Sequence, residues 1–172
     1  MKNVIFLAQE GAKIVEDDQW ILIHSETELL ENAATEKCIL PFGLWKTLQP
    51  EAVIKGEQQS QQGFWLAPDE DEESIKPWLA AVPLIALQFP SFRDGRAYTQ
   101  AYVLRIRLGW QGELRAVGDV LRDQLSHMRQ CGFNSFAIRA DKSAADALKG
   151  LAGISVLYGR SVIQPSPLFR RR

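Results

Sequence analysis

Residues 89–141 read FPSFRDGRAYTQAYVLRIRLGWQGELRAVGDVLRDQLSHMRQCGFNSFAIRAD. Glycine punctuates this stretch closely, and between the marks the apolar residues switch period. After Phe89-Pro90 the loop SFRDGR contains the turn signal Asp94-Gly95. Ala97, Ala101, Leu104 and Leu108 then recur at helical spacing, which predicts a helix stopped by Gly109. Glu113–Val117 has the composition of a strand. Gly118-Asp119 reads as a sharp strand-to-helix turn with Asp119 as N-cap. Leu121, Leu125 and Met128 form the apolar stripe of the following helix, Gly132 is its C′ stop, and Ser135–Arg139 is a strand.

The same alternation extends outward. Leu84–Phe89 is almost continuously apolar, as expected of a strand covered on both faces in a parallel sheet. Phe64–Ala67 is a further strand, and Glu72–Ala81 a weak helix between the two. Downstream, Ser143 caps a helix over Ala144–Leu151, and Ile154–Tyr158 reads as a last strand. Strands alternating with helices through short connections predict parallel pairing by right-handed crossovers. The expected class is therefore α/β, a mostly parallel sheet of about five strands built from successive βα units. Upstream, residues 2–8 and 19–24 suggest a small hairpin, Ser25 and Glu28 a capping box, and Phe42–Leu48 a helix. The organisation expected is a strand pair and helical segment over 1–55, packed as an appendage on a core over 64–160, with an irregular basic tail over 161–172.

The 172 residues fit one domain, with 46% hydrophobic and 24% charged residues and a net charge of -1. That charge is unevenly spread. Residues 1–88 carry 6 Lys/Arg against 15 Asp/Glu, and residues 89–172 carry 14 against 6. Such a division marks either an anion-binding face or two layers that match one another internally. No apolar run is long enough for a membrane span, and the N-terminus lacks the long apolar region of a signal peptide, so no membrane partner and a cytoplasmic location are expected. Cys38 and Cys131 are far apart and form no C-x-x-C pair, as suits buried thiols in a reducing compartment.

Ligands of parallel sheets bind beyond the carboxyl ends of the strands. That rule gathers Arg93, Asp94 and Arg96 with Gly118 and Asp119, and brings Asp141, Lys142, Gly159 and Arg160 to the same rim. The resulting hypothesis is a small-anion site, with Arg93 and Arg96 as clamps and Asp94 or Asp119 as orienters. Arg115 is unusual between Leu114 and Ala116 on a strand, and must reach solvent, a carboxylate or a partner chain. A homodimer interface formed by Arg115, Arg122 and Asp123 is the alternative use of these charges. No glycine-rich nucleotide motif is present, and His24 and His127 have no evident nucleophile or metal partner, so no catalytic residue, metal or cofactor is assigned. The acidic first half and the lack of an aromatic–basic stacking motif argue against nucleic acid.

The segments FPSFRDGRAYT (Phe89–Thr99), GELRAVGDVLRDQ (Gly112–Gln124) and QCGFNSF (Gln130–Phe136) closely resemble the core of a bacterial family known only by number, domain-of-unknown-function family 934. Gln130 stands where that family's pattern has arginine, and Ala97 where glycine is frequent. The resemblance implies a role beside sulfite reductase, whose genes often neighbour those of the family, and it carries an oxidoreductase label that no motif here supports. Two expectations follow. One is an accessory factor in assimilatory sulfite metabolism that binds a small anion or docks on sulfite reductase or another sulfur-assimilation protein. The other is a small enzyme acting on an anionic metabolite at the strand ends.

Overall fold

The computed structural model describes residues 1–31, 37–55, 57–153 and 156–171. Val4–Ala8 (β1) and Gly11–Val15 (β2) form an antiparallel hairpin. Ile21–Leu22 (β3), Cys38–Pro41 (β4), Gly63–Leu66 (β5), Leu84–Phe89 (β6), Glu113–Gly118 (β7) and Ser135–Ala137 (β8) then pair in parallel, each beside its successor. Because β1 also pairs antiparallel with β8, all eight strands share one sheet, in the order β2-β1-β8-β7-β6-β5-β4-β3. The sheet curls into an open half-barrel.

Successive parallel neighbours require every crossover to step the same way, so right-handed connections place their helices on one face. Those helices are Glu26–Glu31 (α1), Phe42–Leu48 (α2), Glu51–Ile54 (α3), Arg96–Tyr102 (α4) and Leu125–Cys131 (α5); Ala144–Leu148 (α6) follows the last strand, and its Ala144 and Ala147 join the same core. The period of two along each strand divides the buried residues cleanly. Ile85, Leu87 and Phe89 of β6 join Trp45 of α2, Leu104 and Met128 in the main core, whereas Leu84 and Ala86 join Val4, Ile39 and Val117 on the opposite, concave face.

The concave face is closed by a strap. Glu16–Trp20 runs from β2 at one edge of the sheet to β3 at the other, and Trp20 packs on the small apolar cluster. Asp18 in this strap receives Arg115 of β7 at 2.7 and 3.2 Å, and Glu113 and Ser135 accept from the same guanidinium. Arg115 is only 2% exposed. A charge so deeply buried requires this degree of pairing, and carboxylates from two segments supply it.

Several sequence expectations need correction. Strands near residues 4 and 21 do not form a hairpin together; β1 pairs with β2, and β3 lies at the far edge of the sheet. The first 55 residues supply four strands of the common sheet, so the described residues form eight strands where about five were expected. Cys38–Pro41 is a strand that keeps its proline at the last position. Residues 72–81 hold only a 3-10 turn at Lys76–Trp78, where Pro77 interrupts the helix. Of the last strand expected, Ile154 and Ser155 lie outside the described residues, and 156–158 are irregular. Leu84–Phe89 and the Ser143 cap of α6 are as read. No helix among the described residues is long and apolar enough to cross a membrane.

Candidate functional site

Strands β6 and β7 end level, with Phe89 opposite Gly118. Gly118 has φ 95°, and a Cβ there would collide with the carbonyl oxygen of Phe89, so glycine is needed both for the backbone angle and for the close approach. The Asp119 N–H donates to that carbonyl at 2.8 Å, which turns the chain over the end of β6 and aims the Asp119 side chain at the loop that follows β6. Asp119 Oδ2 accepts from the Phe92 N–H at 2.8 Å, and Oδ1 accepts from Arg139 Nη1 at 2.6 Å. Arg139 also holds Asp141, through Nε at 2.6 Å and Nη2 at 3.1 Å. This makes a three-member clamp, Asp119–Arg139–Asp141, which joins the segments after β7 and β8 and, through the Phe92 amide, the loop after β6.

The loop itself, Pro90–Gly95, is stiffened from within. The Asp94 N–H donates to Ser91 O at 3.0 Å, and the Asp94 carboxylate takes Arg96 as a fork through Nε and Nη2 at 3.0 and 2.7 Å. Bidentate charge-assisted pairing of this type fixes orientation as well as distance. Of its six residues only Asp94 is half-buried, and Phe92 stands 47% exposed. An exposed aromatic side chain on a loop tied down at its own backbone amide is the distinctive feature of this rim.

The electrostatics are those of ion pairing. The Arg139 guanidinium beside Asp119, with help from the Phe92 N–H, holds the Asp119 carboxyl below the usual carboxylate range. Arg139 brings Asp141 down to about 2. Arg96 lowers Asp94 in the same way. Carboxylates held ionised have no proton to give at neutral pH, so none of the three is suited to act as a general acid. The arginines are correspondingly neutralised: Arg96 by Asp94, Arg139 by Asp119 and Asp141, and Arg122 by Asp146 at 3.2 Å. Arg93 is exposed, and its side chain has no partner among the described residues. Two open cavities flank the clamp. One of about 350 Å³ is lined by Arg122, Asp123, Asp141 and Ser143, and one of about 310 Å³ by Lys2, Gly118 and Arg139.

The structure therefore brings Arg93, Asp94, Arg96, Gly118 and Asp119 to one rim. Asp119 is not a helix cap. The next helical turn begins only at Arg122, and the Gln124 side chain takes the Leu121 N–H, which leaves the Asp119 carboxylate available to the clamp. Arg115, Arg122 and Asp123 do not meet. Arg115 is buried against the strap, while Arg122 and Asp123 are exposed beside the larger of the two cavities. Arg139 and Phe92 are the rim residues that sequence reasoning overlooked. The signal for Arg139 was an arginine two residues before Asp141 at a strand end, where a side chain and its near neighbour share one face.

The remaining polar cluster near the rim lies between α4 and α5. Tyr98 packs on Phe89 and on His127, with ring centres 5.1 and 4.6 Å away, and Cys131 Sγ is 3.9 Å from His127 Nε2. Burial pushes the Cys131 thiol up to about 11, so it stays protonated at neutral pH and lacks the thiolate a nucleophile needs. Among the described residues no three His, Cys, Asp or Glu side chains converge as metal ligands.

No curated protein and no solved structure matches the chain. A family model does match, over residues 63–169, and its span runs from β5 through the rim loop, the clamp and α6. With more than half of its length so matched, the chain belongs to a family of bacterial proteins of unknown function, DUF934.

Proposed function

We propose that the protein is an accessory factor that docks on a partner enzyme of assimilatory sulfur metabolism, sulfite reductase in the first instance, through the rim loop Pro90–Gly95. The observation that carries this reading is the Asp119–Phe92 hydrogen bond, which fixes a loop whose outward side chains include an exposed phenylalanine and an arginine with no partner among the described residues. Interface anchors are typically aromatic or arginine side chains presented on a rigid scaffold, because a preorganised loop loses little entropy on binding. The choice of partner rests on the resemblance set out above.

Immobilised sulfite reductase, probed with the purified full chain by biolayer interferometry, tests the proposal. Binding is expected, with a loss of about tenfold or more in Phe92→Ala and Arg93→Glu. Absence of binding, or binding indifferent to both substitutions, overturns it. A second reading, capture of a small oxyanion, is favoured by Arg93 alone. It predicts a thermal shift with sulfite or sulfate that disappears in Arg93→Ala.

A further inference from the structure

Residues 156–171 take no part in the rim. They fold back on themselves as a loop held by main-chain contacts and by one arginine. Leu168 N–H donates to Tyr158 O at 3.0 Å and Ser161 N–H to Gln164 O at 3.0 Å. Arg171 donates through Nε to Ser166 O at 2.8 Å, and through Nη2 to Leu157 O and Gln164 Oε1 at 3.1 and 2.9 Å. The loop is anchored to α5 by the Val162 N–H, which donates to Gln130 O at 2.8 Å. That attachment is at the last turn of α5, where the chain leads into β8, whereas the rim lies beyond the carboxyl ends of the strands. The two surfaces therefore occupy opposite ends of the sheet.

This loop displays its apolar groups outward. Tyr158 is 72% exposed and Phe169 60%, and their rings lie 6.2 Å apart. With Leu168 and Arg171 they line an open hollow of about 380 Å³. Arg170 stacks over Phe169 at 5.8 Å from the ring centre. Residues 156–171 contain Arg160, Arg170 and Arg171 and no carboxylate. A stapled loop that holds exposed aromatic rings in a cationic setting is an adhesive surface.

We infer that the 156–171 loop is a second docking surface, for an acidic segment of another protein that seats one apolar side chain in the hollow lined by Tyr158, Leu168 and Phe169 and sets carboxylates against Arg160 and Arg170. Charge complementarity determines the occupant. A second copy meeting this loop with its own would oppose arginine to arginine with no carboxylate to relieve them. A flat anionic membrane has no side chain to fill the hollow. This surface is independent of the rim loop and does not rest on the sulfur-metabolism reading.

The test uses the full chain and a fluorescein-labelled peptide, Gly-Asp-Glu-Asp-Phe-Glu-Asp-Gly, followed by fluorescence anisotropy. Saturable binding is expected. It should weaken by about tenfold or more when the peptide's phenylalanine becomes alanine, and likewise in Phe169→Ala and in the Arg160→Glu, Arg170→Glu double variant. It should also weaken with added salt, and it should be unchanged in Phe92→Ala. The substituted side chains are exposed, and circular dichroism verifies that the variants fold. The inference is overturned by any of four results: no binding, equal binding of a lysine-substituted peptide, tighter binding to phosphatidylserine vesicles or a single-stranded oligonucleotide, or a concentration-dependent dimer abolished by Phe169→Ala.

Discussion

Two arginines in this molecule each sit between two carboxylates, and they serve opposite ends. Arg115 is buried on the concave face and joins Asp18 of the strap to Glu113 of its own strand. Arg139 stands at the rim with its side chain 41% exposed, and joins Asp119 to Asp141. The chemistry of the contacts is the same, but the surroundings differ. In the interior an unpaired charge has no water to turn to, so the Arg115 network holds the strap against the sheet with the full penalty of burial behind it. At the rim, water competes for every charge, and the Arg139 clamp adds little to global stability. Its consequence is local: it fixes the backbone of an exposed loop. Burial thus separates an ion-pair network that maintains the fold from one that shapes a surface.

The contrast is broken most severely at Arg115. Arg115→Met leaves Asp18 and Glu113 facing each other near the concave face, and should cost about 3–5 kcal/mol in urea unfolding. Adding Asp18→Leu removes the deeper carboxylate, and should restore much of that loss. If the single substitution is nearly neutral, the strap is not held as described. The next largest effect is expected at Gly118, where the rim depends on backbone geometry. Gly118→Ala places a side chain at φ 95° against the Phe89 carbonyl, and should destabilise by about 1–3 kcal/mol. A neutral outcome would mean that the end of β7 relaxes readily, and the positioning of Asp119 would lose its explanation.

The same contrast explains what could be read from the sequence. The parallel unit from β5 to β8 was legible because each strand is a short apolar run followed by a glycine, proline or cap, as at Leu84–Phe89 and Ser143. The N-terminal strands were misplaced because Ile21–Leu22 pairs with a segment some seventeen residues on, and nothing local distinguishes that from a hairpin with β1. A topological rule that needs only strand ends also assigned Gly159 and Arg160 to the rim, although both sit in the separate 156–171 loop, whereas Arg93, Asp94, Arg96, Gly118 and Asp119 do share one rim. Their roles were not legible. Whether Asp119 caps a helix or clamps a loop depends on where the next helical turn begins, and that is decided by the Gln124 side chain. Arg115 was recognisable as anomalous, but its partner Asp18 is 97 residues away and belongs to a strap that no pattern announces.

A smaller effect is expected in acid. The folded-state pKa values of Asp94, Asp119 and Asp141 lie below the ordinary value of 3.8, with Asp141 at about 2. Groups depressed in this way contribute stability that is fully present above the unfolded value and is lost as the pH falls through the folded one. Urea unfolding should therefore lose stability between about pH 4 and about pH 2. The loss should be shallower in Asp119→Asn, which has no proton to take up at that position. Equal slopes in the two proteins would show that Asp119 is not held ionised by Arg139.

The smallest global effect, and the sharpest local one, is expected at Asp119 at neutral pH. The Asp119→Asn variant keeps an oxygen that can accept from the Phe92 N–H, although it loses the charge that holds Arg139; Asp119→Ala loses both. If the clamp fixes the loop through that hydrogen bond, hydrogen exchange at the Phe92 amide should accelerate strongly in Asp119→Ala and only modestly in Asp119→Asn, while the melting temperature changes little in either. If both variants accelerate exchange equally, the Arg139 ion pair is what orders the loop, and the amide bond is its by-product. If neither does, the Asp94–Arg96 fork is sufficient to hold it, and the rim loop owes its shape to its own residues. Each result assigns the rigidity of the exposed Phe92 to a different pair of atoms, and a partner that binds there should be sensitive to that pair and indifferent to Arg115.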